Sequence, residues 1–220
     1  MTDKARMSRK DLKQPDEFLT LSRQAVTWGR GHQQIVIGAI IGVAALVAVL
    51  GIATAYSAAQ RRDANADLAR ALAKLSSSDF AGATTELTAV SERWSGSKVA
   101  PIASLLAADS ALREGEADKA ITILTALQPA TSSMPSYLQQ QALVIWGTAL
   151  ETKQQWSDAA GKYKDASAIA GPYTGAAVVG EARTREQAGE ADKARELYRQ
   201  AYEQFPDLPG REFLATKFAS

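Results

Sequence analysis

Apolar positions fill one stretch of this chain completely and recur at helical spacing through most of the rest. From Ile35 to Ala55, IVIGAIIGVAALVAVLGIATA, 21 residues pass without a charge, and none is formally charged between Arg30 and Arg61. At 1.5 Å of rise per residue this run makes a helix of about 32 Å, close to the hydrocarbon thickness of a bilayer. Lipid offers no water to unpaired backbone groups, so each must bond within its own segment, which favours a helix. A helix buried in a soluble core seldom stays apolar on every face for this length. The pattern predicts a single transmembrane helix over residues 35–56.

Residues 1–14 are polar and basic and predict no structure in isolation. Pro15-Asp16-Glu17 is a helix start, with proline early and acids in the first turn. Behind it Phe18, Leu21, Ala25, Trp28 and His32 recur at 3- and 4-residue steps. That face predicts a short interfacial helix with Trp28 at the headgroup boundary and Gly29 and Gly31 at a bend. Residues 1–34 thus form a basic leader.

After Arg62 every segment reads as helix, and alternating strand patterns are absent. The breaks predict helices over Asp63–Leu75, Phe80–Trp94, Lys98–Glu114, Glu116–Gln128, Pro135–Lys153, Trp156–Ala170, Tyr173–Ala188, Glu190–Phe205 and Leu208–Ala219. The fold class is all-α, with residues 63–220 as one helical-repeat domain behind the membrane helix.

Charge orients the chain. Residues 1–34 carry seven Lys/Arg against four Asp/Glu, net +3, whereas residues 63–220 carry 16 against 20, net −4. The bias places the N-terminus in the cytoplasm and the large domain outside, with Arg61 and Arg62 opposing it. A mildly acidic domain lacks the basic face that nucleic acid requires. Ala53-Thr54-Ala55 has the form of a signal-peptidase site, but the apolar run is too long and its leader too extended for a cleaved signal. Ser8-Arg9-Lys10 lies too far from the apolar run for a twin-arginine signal. The chain has no cysteine, which removes disulfides, thiolate nucleophiles and zinc–thiolate sites and leaves the compartment open.

Candidate chemistry is sparse. His32 is the one histidine, too few for a metal site or a histidine-based triad. No strand precedes a phosphate loop. Glu114, Glu116, Asp118, Glu190 and Asp192 fall at hairpin turns and helix starts, where acids cap ends and offset the dipole. Trp94, Trp146 and Trp156 sit at core-compatible helix positions. No catalytic residue, metal ligand, cofactor or small-molecule substrate is expected.

One hexapeptide, Gly-Glu-Ala-Asp-Lys-Ala, occurs unchanged at Gly115–Ala120 and Gly189–Ala194, 74 residues apart, or twice 37. A period in the thirties with helix–turn–helix content marks a solenoid of paired helices. The glycine suits the turn, and the small alanine lets the second helix approach the first. In these positions the chain resembles the tetratricopeptide-repeat (TPR) family. The fourth unit carries Ala182, Gly189, Ala194, Tyr198, Ala201 and Pro206. The third carries Gly147, Trp156, Ala159, Tyr163, Ala166 and Pro172. The second carries Ala108, Gly115, Ala120, Leu124 and Leu127, and the first Ala71, Phe80, Ala83, Leu87 and Val90. Unit spacing drifts between about 35 and 39 residues.

With its basic leader and single anchor, the chain further resembles the YfgM-like family, ancillary subunits of the SecYEG translocon. That resemblance implies a bitopic bacterial inner-membrane protein whose periplasmic repeats contact translocon subunits, chaperones or client polypeptides. By family analogy the first helix of each pair lines a concave groove, placing Leu105, Asp109, Leu112, Val144, Thr148, Glu151, Val179, Arg183 and Glu186 there. Within the anchor, Gly38 and Gly42 form G-x-x-x-G, a spacing that lets helices approach in a membrane. A structural subunit of another envelope complex and, more distantly, a hydrolase built on helices are the competing readings.

Overall fold

The computed structural model describes residues 27–28, 30–127 and 134–219. The expected interfacial helix falls mostly outside them. Among the described residues the chain forms nine helices: α1 (Gln33–Ser76), α2 (Phe80–Arg93), α3 (Val99–Glu114), α4 (Ala117–Leu127), α5 (Ser136–Thr152), α6 (Trp156–Ser167), α7 (Thr174–Gln187), α8 (Ala191–Gln204) and α9 (Arg211–Ala219). The expected break after Arg62 is missing. The composition changes there while the helix runs on to Ser76, because Asp63–Leu75 is itself a good helix former and nothing in between interrupts the backbone ladder.

By its contacts the chain divides into two units, Met1–Ala59 and Gln60–Ser220. In the first, the apolar part of α1 stands exposed, with Ile41, Leu46, Val49 and Ile52 among its open side chains. It is long and apolar enough to cross a membrane. Trp28 stacks on His32 at 4.7 Å between ring centres, and His32 Nδ1 lies 3.0 Å from the Trp28 carbonyl oxygen.

The second unit repeats one hairpin four times: the tail of α1 with α2, then α3–α4, α5–α6 and α7–α8. Each hairpin turns on a residue with positive φ: Ser78 at 59°, Gly115 at 91°, Gln154 at 58° and Gly189 at 83°. The bonding is the same at all four. The turn residue's N–H donates to the carbonyl three residues back, as Gly115 to Leu112, and the next N–H reaches five back, as Glu116 to Ala111. Asp79→Lys74, Gln155→Leu150 and Glu190→Arg185 repeat the longer bond. This is the Schellman closure, which satisfies the last carbonyls of the first helix. Glycine takes the left-handed conformation freely, whereas Ser78 and Gln154 occupy it at a steric cost.

Twelve residues separate the small residues that meet where paired helices cross: Ala71 with Ala83, Ala108 with Ala120, Gly147 with Ala159, and Ala182 with Ala194. All are buried. Four positions further on come Leu87, Leu124, Tyr163 and Tyr198, each buried as the large residue of its unit. Small residues at the crossing permit close approach, and the large one fills the wedge beyond it. Helix α9 caps the last hairpin through buried Leu214, with Phe218 edge-on to Tyr202 at 5.4 Å.

Candidate functional site

The first helices of the later hairpins lie side by side, α3 against α5 and α5 against α7. They carry the nine positions nominated for a groove. The structure treats these unequally. Leu105 is 2% exposed and packs in the core with Leu138 and Ile145, so it does not line a groove. Its position faces the next hairpin, and a branched apolar side chain there is drawn into the inter-repeat core. Leu112, Val144 and Val179 are half-buried. Asp109 is taken by Arg113 one turn on, Nε to Oδ2 at 2.8 Å.

The remaining four form a ladder. Arg183 Nε and Nη2 donate to Glu151 Oε1 and Oε2 at 2.5 and 2.7 Å, a bidentate grip between α7 and α5. The Tyr163 hydroxyl, arriving from α6, donates to Glu151 Oε2 at 3.0 Å, and Thr148 Oγ1 lies 3.0 Å from that hydroxyl. The next unit repeats the arrangement. The Tyr198 hydroxyl donates to Glu186 Oε2 at 2.9 Å, and Lys217 of α9 donates to both Glu186 oxygens at 2.8 and 3.0 Å. In each rung the tyrosine of the second helix and a cation of the following element converge on the glutamate that ends the first helix.

Electrostatics follow from these contacts. The Lys217 ammonium holds the Glu186 carboxyl below its ordinary range, helped by the Tyr198 hydroxyl and opposed by partial burial. Burial pushes the Tyr163 hydroxyl up to about 12, and raises Tyr198 as well, with Glu186 adding to that rise. The Glu151 carboxylate raises Arg183 further. Tyr163, Tyr198, Arg183 and Glu186 are thus all shifted away from neutrality. The charges are spent on one another, so this part of the face is less polar toward an incoming molecule than its composition suggests.

Two other polar anchors had no clear signal in the sequence. Buried Gln140 of α5 donates to the Ile169 carbonyl at 2.7 Å and to Thr174 Oγ1 at 2.9 Å, and its Oε1 accepts the Tyr173 N–H at 2.9 Å. It thereby clamps the segment joining α6 to α7. In the first hairpin, Asp67 accepts Trp94 Nε1–H at 2.9 Å and pairs with Arg93 at 3.2 Å and with Arg70. The indole N–H is the largest single cause that lowers the Asp67 pKa, and the two arginines add to it. Trp94 is therefore a hydrogen-bond donor as well as packing. Trp146 lies under Lys162 Nζ, 4.2 Å from the ring centre.

The acids at the turns play a narrower part than expected. Asp118 and Asp192 sit in the first turns of α4 and α8, where they favour the helix dipole. Glu190, at the N-cap of α8, makes no side-chain cap bond and pairs instead with Arg185 and Lys193 at 3.0 and 2.6 Å. Among the described residues no three His, Cys, Asp or Glu side chains are grouped to hold a metal. At Gly38 and Gly42 an added Cβ would meet nothing within 4 Å, so both lie on open helix surface.

The tetratricopeptide-repeat family model matches residues 68–135 and 146–209, together more than half of the 220-residue chain. The chain belongs to the tetratricopeptide-repeat family. Two crystal structures of the nearly identical TPR-like repeats of a kinesin light chain from Podosopora anserina, one of them a variant form, share its fold. The first superposes with a TM-score of 0.59 at 16% identity, covering 70% of this chain and 82% of that one. The second gives 0.57 at 15% identity, covering 70% and 83%. No curated protein matches the sequence. TPR hairpins are a protein-interaction scaffold, and this TPR protein accordingly takes proteins as partners.

Proposed function

We propose that this TPR protein is a membrane-tethered adaptor. Its leader lies in the cytoplasm, residues 35–56 span a bacterial inner membrane, and the TPR domain works on the periplasmic face. There it holds components of protein translocation or folding: translocon subunits, chaperones or emerging polypeptides. It performs no catalysis and needs no cofactor. The observation that supports this most is the joining of four TPR hairpins, in one short chain, to an apolar helical stretch whose large apolar side chains, among the described residues, stand exposed. Tethering raises the local concentration of the hairpins near membrane partners, so modest contacts suffice.

Half-buried Val144 lies outside both the ladder and the core, and half-buried Val179, on the neighbouring first helix, rests on the edge of the last core, so these two are where a partner would be felt. Gly38 and Gly42 are offered as the helix-contact face within the membrane. The test is in-cell photocrosslinking from Val144 and Val179, with exposed Lys164 on α6 as control. Capture of a translocon subunit or periplasmic chaperone from the valines and not from Lys164 is the expected result. Equal capture from all three would overturn the reading.

A further inference from the structure

The four hairpins are not joined alike. Between the first and second, Ser91 Oγ and Ser104 Oγ lie 2.6 Å apart, and the Arg113 guanidinium stands 5.8 Å from the Phe80 ring centre. Between the third and fourth, the Arg183–Glu151 fork and the Gln140 clamp cross the junction. Tyr163 is also held between two glycines: an added Cβ would lie 2.9 Å from its ring at Gly147 and 2.7 Å at Gly180. Between the fourth hairpin and α9, Lys217 and Arg211 do the same work, the latter donating to the Tyr202 carbonyl at 3.1 Å.

The junction between the second and third hairpins differs. The positions that carry the rung in the third and fourth units are here Leu112 in place of the glutamate, Leu124 in place of the tyrosine and Thr148 in place of the cation. The first unit lacks the rung too, with Leu75, Leu87 and Asp109, but keeps the part-buried serine pair. Among the described residues, the one polar link across it is the ion pair of Lys153 and Asp118, with the Asp118 side chain 79% exposed. An exposed pair of this kind adds little. What remains is apolar, with Leu105, Leu124 and Leu127 meeting Met134, Leu138 and Ile145.

We propose that the TPR domain consists of two double-hairpin blocks, residues 60–127 and 134–219, that shear against each other on this apolar junction. Hydrogen bonds demand a set geometry, whereas apolar burial is non-directional and tolerates the sliding of packed helices. The movement changes the width of the face formed by α3, α5 and α7, so that face adjusts to partners of different girth. This last consequence rests on the adaptor reading. The motion itself is tested without any partner, so the two fail separately.

Because the chain has no native cysteine, labels can be placed cleanly. The full-length protein in detergent micelles carries nitroxide pairs at exposed positions, either Thr125→Cys with Glu196→Cys or Lys164→Cys with Thr216→Cys. Each pair spans two junctions, and only the first crosses the apolar one. The distance distribution of the first pair is expected to be at least about twofold wider. Transplanting a rung by Leu112→Glu, Leu124→Tyr and Thr148→Arg narrows it. Should the transplant fail to fold, Glu151→Gln with Arg183→Gln provides the converse and widens the second pair. Equal widths for the two pairs, or no response of either to these changes, would overturn the proposal.

Discussion

Glu151 and Arg183 are joined by two parallel hydrogen bonds of 2.5 and 2.7 Å, which tie α5 to α7 thirty-two residues further along the chain. The Glu151 side chain is 18% exposed and that of Arg183 48%, so water screens the pair only in part. Arg183→Ala is expected to cost about 1–2 kcal/mol, between the values for exposed and buried pairs. Glu151→Ala costs more, because it also strips the Tyr163 hydroxyl of its acceptor. Urea denaturation of the single and double variants checks this, and a double-mutant cycle with no coupling would refute the pairing.

Stability falls in acid, and Lys217 is part of the cause. Glu186 has a folded pKa held below its ordinary value of 4.5, chiefly by Lys217. A depressed carboxyl contributes its full stabilisation above its unfolded pKa and loses it as pH falls through the folded value. The urea midpoint is therefore expected to be flat above about pH 5 and to drop below it. Lys217→Met starts lower at neutral pH and drops less, so the two curves converge in acid. Parallel curves would contradict the assignment.

Two of the four hairpin turns place a residue with a side chain where glycine fits. Ser78→Gly and Gln154→Gly are each expected to raise stability by about 0.5–1 kcal/mol, relief of left-handed strain outweighing the added freedom of the unfolded chain. Gly115→Ala and Gly189→Ala lower it by about 1 kcal/mol. Thermal unfolding of the four variants distinguishes these signs.

Alanine ordinarily improves a helix over glycine, but not at Gly147 or Gly180. A methyl group at either would press on the fully buried ring of Tyr163. Each substitution is expected to cost about 1–3 kcal/mol by overpacking. Relief by a second change, Tyr163→Leu, would show the clash to be the cause.

How much of this was legible beforehand depends on how local the signal is. The crossing residues, the large residue four positions on and the glycine turns stand at fixed spacings within single hairpins, and reading them located all four units. Ser78 and Gln154 escaped notice because nothing in a serine or glutamine announces a left-handed conformation that the hairpin imposes. The continuity of α1 through Arg62 is not legible because a change of composition there accompanies no change of backbone. Glu151, Arg183, Thr148 and Glu186 were picked out as groove residues. Glu151, Arg183 and Glu186 bond across repeats, to partners over thirty positions away that spacing within one helix does not reveal, whereas Thr148 meets Tyr163 of its own hairpin. The matching 12-residue intervals of Glu151–Tyr163 and Glu186–Tyr198 were the available clue. The same hexapeptide shows the limit of local reading. Glu190 finds Arg185, whereas the equivalent position one turn before Gly115 is Ala111, so Glu116 has no such partner to meet.

The claim on which the rest turns is that the apolar part of α1 crosses a membrane and leaves the TPR domain outside. Single cysteines at Ser8 and at Thr125, in an otherwise cysteine-free chain, can be challenged in spheroplasts with a membrane-impermeant maleimide. The account predicts that Thr125→Cys is labelled in intact spheroplasts and Ser8→Cys only after lysis. Labelling of Ser8→Cys alone before lysis, or of neither, would contradict it.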